Sequence, residues 1–392
     1  MNQNFLRTTL IIWHNQLNLG LAIKHWSWWT ALFCFANSLF WAFPSYNRIV
    51  SKDPQINDYN SFWNRINEQA DHPLTHYDYP PAVHEAKISF RLLMPLLARF
   101  SPFKDLNIRM AYLFFIQHIA GFFFFLFLIK LAWRYTQDKA TSALLAIAIS
   151  VTYLGHCFFY ELFGFFDGVA FTLLLISVYY PRAWWAVLCF FLSFWIDERA
   201  VLASGLIFLL LTEPENIFRK EHFKSIFLKA FPFLVAYVVY ITIRKGLELK
   251  FGLTVPIGTE HDAGLGLIIQ QIRTIPLATF LSYEGLWILI IVGIYAAWRK
   301  HKRLEVSLYM VAFFIIMLVS WSVWDVTRSL VYGFPVILFC LRQVALSTTK
   351  TTLFTLILLV FILNFIIPSY KNHYFQFYWQ VPFPVKVLHL FS

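Results

Sequence analysis

The acidic and ion-pairing residues of this 392-residue chain are gathered in five stretches that hydropathy puts on one side of a membrane. They are residues 44–107, 161–167, 197–199, 260–262 and 325–328. Ionisable residues at a membrane boundary cost free energy unless they are paired or serve a function. Carboxylates can act as general bases, and guanidinium groups bind anions such as phosphate. The pattern therefore predicts a functional site at this membrane boundary, which is here called the acidic rim.

The first stretch, residues 44–107, mixes every kind of polar chemistry. Asp53 and Asp58 follow shortly after the first apolar segment, where a carboxylate could face a reacting group at the membrane surface and act as its general base. A structural role is the alternative, because Asn57 and Asp58 could also cap a helix that begins at Tyr59. Both acids are candidate catalytic residues, with Asp58 preferred.

The middle of this loop contains histidines among acids. They are Asp71, His72, His76, Asp78, His84 and Glu85. Their spacing matches no compact zinc motif, and prolines divide the segment into turns. No metal ligand is assigned, a divalent cation is left open, and hydrogen bonding within the loop is the favoured role. His84 and Glu85 are also candidate substrate-binding residues.

From Val83 to Phe100 the pattern predicts a short amphipathic helix on the outer membrane surface. Its basic stripe contains Lys87 and Arg91, which could hold a lipid-linked phosphate, because a guanidinium group binds phosphate oxygens in pairs. The alternative is an ordinary interfacial helix whose basic side chains reach towards water.

Three short turns at the same rim hold further acids and arginines. They contribute Glu161 and Asp167, then Asp197, Glu198 and Arg199, then Asp325 and Arg328. Asp325 and Arg328 are three positions apart at a predicted helix start, so they can pair directly. Each turn alone could be a structural ion pair. Their convergence on one side indicates a substrate site.

Composition requires a membrane protein, since 59% of the residues are hydrophobic and only 14% are charged. The predicted fold is all-α: a polytopic transmembrane bundle of about eleven spans. The spans are predicted near residues 26–43, 110–132, 142–160, 167–180, 183–196, 200–211, 227–243, 285–298, 306–323, 329–341 and 351–368. The four cysteines fall inside these spans and are interpreted as small buried apolar residues.

Charge predicts the orientation of this single domain, residues 1–392. Lysine and arginine are concentrated in short loops opposite the acidic rim, so those loops and the segment 1–25 are predicted to be cytoplasmic. The loop 44–107 and the tail 370–392 are then extracytoplasmic. The net charge of +11 reflects these loop ends, and no nucleic-acid partner is expected. The lack of a retrieval signal and the modest size favour a bacterial inner membrane.

An N-terminus inside, a long first outer loop with early acids and about eleven spans together resemble the GT-C superfamily of membrane glycosyltransferases. The stretch NDYNSFW is similar to the acidic, aromatic opening of such loops, and RLLMPLLARF (Arg91 to Phe100) resembles the Arg-x3-Pro-Leu run near their end. The adjacent acid pair usual in that loop is missing, so Asp53 and Asp58 both stay candidates. The resemblance covers the layout of the whole chain, while its motifs are short.

The resemblance implies a polyprenyl-phosphate-linked sugar donor and a glycan, lipid or protein acceptor. A loop carboxylate, Asp58 or Asp53, would deprotonate the acceptor hydroxyl, and a single displacement would invert the anomeric carbon. Lys87, Arg91 or Arg199 would hold the departing phosphate. The other rim residues would line the sugar site or tie the rim together.

Three other functions fit parts of the pattern. A transporter or lipid flippase could use the same acids as a relay, although transport sites tend to lie near the bilayer midplane on broken helices. A polymerase or ligase acting on lipid-linked O-antigen would share the substrates but usually has its large loop later in the chain. A non-catalytic assembly subunit would not need such a gathering of acids.

Overall fold

The described part of the chain is almost entirely helical. The computed structural model describes residues 3–44, 46, 57–76, 88–160, 164–212, 220–255, 264–373 and 375–388. Its helices are α1 (Gln3–Gly20), α2 (Trp26–Trp41), α3 (Asn57–Asp71), α4 (Leu93–Arg99), α5 (Leu106–Thr136), α6 (Lys139–Ser150), α7 (Tyr153–Tyr160), α8 (Asp167–Tyr179), α9 (Ala183–Phe194), α10 (Arg199–Thr212), α11 (Lys220–Phe251), α12 (Gly266–Gln270), α13 (Ile275–Tyr283), α14 (Leu286–Arg299), α15 (Arg303–Trp321), α16 (Val326–Leu330), α17 (Pro335–Ser347), α18 (Lys350–Ile366) and α19 (Phe383–Leu388). The predicted all-α class is confirmed.

One small antiparallel hairpin interrupts the helical pattern. Its strands are β1 (Tyr370–His373) and β2 (Gln376–Trp379), with Tyr370 opposite Trp379. The hairpin packs on α13 and α16 and lies within the segment predicted as a plain interfacial tail. This strand pairing was not predicted, because the connection lacks the glycine or asparagine of common two-residue turns.

Helix α5 occupies the centre of the bundle, where it packs against α2, α6, α8 and α17. Its phenylalanine run packs inward: the Phe124 ring centroid lies 5.1 Å from that of Phe158 and 6.2 Å from that of Phe334. Gly121 of α5 and Gly168 of α8 flank Phe158, and a Cβ atom at Gly168 would lie 2.6 Å from the phenyl ring. The two glycines therefore allow α5, α7 and α8 to pack closely beneath the acidic rim.

Fewer helices can span a membrane than the sequence predicts. Among the described residues, three helices are long and apolar enough by themselves: α5, residues Lys224–Phe251 of α11, and α15. Three bent helix pairs in the same part of the chain raise the number to at most six, against about eleven predicted. The predicted spans near α8, α9 and α10 are helices of 13, 12 and 14 residues. At 1.5 Å per residue each is about 20 Å long, shorter than the roughly 30 Å of a hydrocarbon core.

The apolar helices are nevertheless compatible with an integral membrane protein. Bends account for part of the difference in span number. Helices α6 and α7 meet at 54°, α13 and α14 meet at 82°, and the segment Val326–Gly333 meets α17 at 44°. Two of these breaks, after α6 and after α13, lie next to the hairpin's base.

The helix predicted from Val83 to Phe100 forms only in part, as α4. Residues 88–90 are a turn and Arg91 precedes the helix, while residues 77–87 lie outside the described part. Pro95 explains the late start: in a longer helix its ring would clash with the carbonyl group of Arg91, four positions earlier.

Candidate functional site: a buried chain of ion pairs

Eight ionisable side chains from separate segments form one continuous series of contacts, here called the ion-pair chain. In order, they are Glu198, Arg91, Asp197, Arg199, Asp167, Arg328, Asp325 and His373. All seven residues predicted for this rim from the described turns and loop alternate in sign along it, and the structure brings them together. The gathering of these turns, predicted from hydropathy alone, is thus realised as direct contact.

At the Glu198 end of the ion-pair chain, Arg91 is the first arginine. Its Nε and Nη2 atoms donate to the two carboxylate oxygens of Glu198 at 3.3 and 3.0 Å, a bidentate pair. Its Nη1 atom lies 3.0 Å from Oδ2 of Asp197. The Arg91 side chain is 15% exposed and that of Glu198 is 40% exposed, whereas Asp197 is 1% exposed. Arg91 therefore joins a solvent-facing carboxylate to a buried one.

The middle of the chain is built around Arg199, the first residue of α10. Its Nε and Nη2 atoms donate to Asp197 at 2.7 and 2.6 Å, and Nη2 also reaches Oδ1 of Asp167 at 3.2 Å. The Asp197 carboxylate also accepts the backbone N–H of Arg199 at 2.9 Å, which fixes the start of the helix. Ser329 accepts from Nη1, and Tyr332 donates its hydroxyl to Asp167 at 2.6 Å.

The other end connects α8 to α16 and the hairpin, where the His373 side chain is 42% exposed. Nε of Arg328 lies 3.4 Å from Oδ2 of Asp167, and its Nη1 lies 3.4 Å from Oδ2 of Asp325, the direct pair predicted for positions three apart. Nδ1 of His373 lies 2.5 Å from the other oxygen of Asp325. The Arg328 guanidinium also stacks on Phe165, 3.7 Å from the ring centroid.

The arginines keep two of these buried acids ionised. Burial by itself raises the pKa of Asp197, but Arg199 and Arg91 outweigh it and hold that pKa well below its usual range. Burial likewise opposes the charge of Asp325, whose pKa is lowered well below its usual range by Arg328, Lys371 and the bond to His373. Asp167 differs, because burial outweighs Arg328 and Arg199 there and raises its pKa. Asp197 and Asp325 are therefore anions whose charge depends on their partners.

A small cavity of about 20 Å³ lies beside Arg91, enough for roughly one water molecule. It is lined by residues of α3, including Gln69, and by Gly164 and Ile196 from the rim turns. The Oε1 atom of Gln69 is buried there without a hydrogen-bond partner among the described residues. The helix that carries Asp58 thus forms one wall of the space next to the outermost arginine.

Several predicted residues cannot be related to this geometry. Asp53, His84, Glu85, Lys87 and Glu161 lie outside the described residues, as does the turn 260–262. Asp58 lies in the first turn of α3. The alternative role as a helix cap also required a helix at this place, but the Asp58 side chain is outside the described part. No group of three metal-binding side chains occurs among the described residues.

Sequence reasoning missed four members of the site. Ser329 and Tyr332 contact Arg199 and Asp167, and His373 contacts Asp325. Lys371 lies over Phe165, with Nζ 5.4 Å from the ring centroid. The available signal was a lysine and a histidine two positions apart in an acid-free aromatic tail, where any carboxylate partner must come from elsewhere in the chain.

The fold and the site define a helical protein with apolar, membrane-compatible helices and a buried, charge-balanced rim. Comparisons with protein-family models, curated proteins and solved structures found no match to the chain.

Proposed function

We propose that the chain is a membrane glycosyltransferase that moves a sugar from a polyprenyl-phosphate-linked donor to an acceptor at the acidic rim. The observation that carries this proposal is the juxtaposition of Arg91 with the cavity that α3 lines. A guanidinium group for the leaving phosphate and a nearby carboxylate for the acceptor are the two groups that such a displacement needs. Helix α3 carries the preferred carboxylate, Asp58, in its first turn, whereas the cavity-lining residues Ile66 and Gln69 lie about two and three turns further along the helix.

Arg91 is the arginine of the chain best suited to hold a phosphate. Arg199 contacts two buried carboxylates, and a phosphate could reach it only by displacing a buried anion. The bidentate partner of Arg91 is Glu198, whose side chain is 40% exposed and can rotate into solvent. A phosphate group presents the same pair of oxygens to the guanidinium and can take the place of Glu198. Asp197 would keep Arg91 oriented during this exchange.

In the proposed reaction, Asp58 removes the proton of the acceptor hydroxyl, with Asp53 as the second candidate. The acceptor oxygen attacks the anomeric carbon as the bond to the lipid phosphate breaks, so the configuration inverts. The polyprenyl phosphate leaves with the bonding electrons, and Arg91 stabilises its negative charge. Arg199, Asp167, Asp325 and Arg328 act by holding Asp197 and the rim turns in position.

The proposal extends to topology and location. The short apolar helices α8, α9, α10 and α18 pack against longer ones, which supports additional membrane-embedded segments up to the predicted number of about eleven. The basic loops opposite the rim support a cytoplasmic N-terminus in a bacterial inner membrane. The ion-pair chain would then lie at the extracytoplasmic face.

The test is sugar transfer in proteoliposomes from a panel of radiolabelled polyprenyl-phosphate donors. Wild type is compared with Asp58→Asn, Asp53→Asn and Arg91→Lys, and with Glu248→Gln, which removes an exposed carboxylate paired with Lys245. We expect one aspartate variant to abolish transfer, Arg91→Lys to raise the KM for the donor more than it lowers kcat, and Glu248→Gln to match wild type. Absence of transfer from every donor by folded wild-type protein would contradict the proposal.

A transporter is the second candidate, and one observation favours it. Helices α13 and α14 form an 82° break with the buried acid Glu284 at the bend, the arrangement of many transport sites. Flux of lipid-linked sugar across the same vesicles, without sugar transfer, would favour this function over the transferase.

A further inference from the structure

A second buried polar region lies at the break between α13 and α14. Glu284 occupies the break with φ 48° and ψ −124°, a backbone conformation that residues other than glycine rarely adopt. Its side chain is buried, the residue being 1% exposed, and neither carboxyl oxygen has a hydrogen-bond partner among the described residues. Conformational strain and an unpartnered acid at one position indicate a functional role.

Three other buried polar residues are linked to this acid in series. Ser369 lies beside the Glu284 carboxyl group, close enough to act on its charge but without the geometry of a hydrogen bond. The backbone carbonyl of Ser369 accepts the N–H of Gln380 at 3.1 Å, and Oε1 of Gln380 is bonded to Nδ1 of His156. These four residues are here called the Glu284 pocket.

The pocket contains unused hydrogen-bonding atoms on every member. They are Oε1 and Oε2 of Glu284, Oγ of Ser369, Nε2 of Gln380 and Nε2 of His156, all buried and without a hydrogen-bond partner in the described part of the chain. Because the amide oxygen of Gln380 can only accept, Nδ1 of His156 carries the ring proton and Nε2 has a free lone pair. The backbone of Ser150 lies near the ring but does not occupy that atom.

Two helix breaks meet at this pocket. His156 belongs to α7, one turn beyond the 54° break after α6, and α7 packs against α13. The base of the hairpin covers both breaks, since Ser369 precedes β1 and Gln380 follows β2. The pocket is therefore closed on one side by an element that is not part of the helical bundle.

Charged groups on the neighbouring elements are directed elsewhere. Arg328, Asp325 and His373 belong to the ion-pair chain, and Lys371 lies over Tyr160 and Phe165. No cationic side chain of the described part acts on the Glu284 carboxyl group.

We propose that Glu284 is a proton-binding site that is occupied, and therefore neutral, in this buried pocket. This inference holds whether or not the chain transfers sugar.

The test is infrared difference spectroscopy of the full chain in lipid nanodiscs, which detects the C=O stretch of a protonated carboxylic acid. At neutral pH we expect this band in wild type and its loss in Glu284→Gln, an isosteric change that mimics the neutral acid and preserves folding. Glu305→Gln is the matched control: Glu305 is equally buried, but Lys302 lies 3.1 Å from its carboxylate, so this change should leave the band in place.

A band that is absent from wild type, or retained in Glu284→Gln, would overturn the proton site. So would loss of the band when sodium replaces choline at constant ionic strength, since a metal cation would then occupy the pocket.

Discussion

The ion-pair chain and the Glu284 pocket are both buried and both contact the same hairpin, yet they accommodate their acids in opposite ways. Every carboxylate of the chain contacts an arginine, whereas no cation acts on Glu284 within the described residues. A buried anion keeps its charge only when a counter-charge offsets its desolvation. Asp197 and Asp325 therefore carry fixed charges within the chain, whereas the pocket holds an acid whose charge can change.

Of the changes predicted here, removal of Arg199 should reduce the stability of the protein most. Arg199→Met keeps much of the side-chain volume but leaves Asp197 and Asp167 without their shared cation, so we expect a loss of about 3–5 kcal/mol of stability. The measurement is thermal unfolding of detergent-solubilised protein, followed by size-exclusion chromatography. Lys245→Met, which breaks an exposed pair with Glu248, should cost about 0–1 kcal/mol. Equal effects of the two changes would mean that the chain is not held by its charges.

Low pH should destabilise the folded protein through Asp197 and Asp325 of the ion-pair chain. Because their pKa values are lower in the folded protein than in the unfolded chain, the unfolded state binds more protons as the pH falls. Their contribution to stability is complete above the ordinary aspartate pKa of about 4 and is lost progressively below it. Thermal unfolding in nanodiscs from pH 7 to pH 3 should show a falling Tm only in the acidic part of this range. A Tm that rises on acidification would contradict the assignment of these acids as anions.

Glu198 should matter little for stability although it belongs to the chain. Glu198→Gln removes a charge that is 40% exposed, and Arg91 keeps its contact with Asp197, so we expect a change of about 0–1 kcal/mol. The same variant should bind inorganic phosphate or a short polyprenyl phosphate more tightly, since the ligand no longer competes with a carboxylate. Isothermal titration calorimetry, with Arg91→Lys as the weakened control, measures this. Unchanged phosphate affinity in Glu198→Gln would contradict the proposed role of Arg91 in phosphate binding.

The smallest stability effect should come from Glu284. In Glu284→Gln an amide replaces a neutral acid of the same shape, so the Tm should stay within the error of the wild-type value at neutral pH. The same unfolding assay as for Arg199→Met measures it. A large loss in Glu284→Gln would show that this position carries a charge, as Asp197 and Asp325 of the ion-pair chain do, and would remove the difference between the two regions.

The sequence predicted which residues meet at the rim but not how they pair. Hydropathy and loop charge assign Asp167, Asp197 and Asp325 to one side of the membrane, and this needs only the positions of apolar segments along the chain. The pairing of Arg91 with Asp197 depends on how the first loop folds over the helices, and no local spacing encodes that. The pairing of Asp325 with Arg328 could be predicted because both residues lie on one helix turn.

Glu284 was missed for a related reason. Its surroundings in the sequence, Phe280 to Leu286, read as the edge of an apolar span, so the acid appeared to lie in a loop. The bend of 82° between α13 and α14 turns this edge into a buried position. The signal that could have revealed it is an isolated acid followed by glycine between two apolar runs, a mark of a broken membrane helix.

The position of the hairpin after α18 also sets an order of assembly during synthesis. Asp325 and Glu284 are synthesised before the ribosome has added residues 370–380. Until then Asp325 lacks His373, and Gln380 is absent from the pocket that contains Glu284. The nascent bundle therefore passes through a stage in which both regions lack part of their cover, and addition of the hairpin closes the rim and the pocket in one late step.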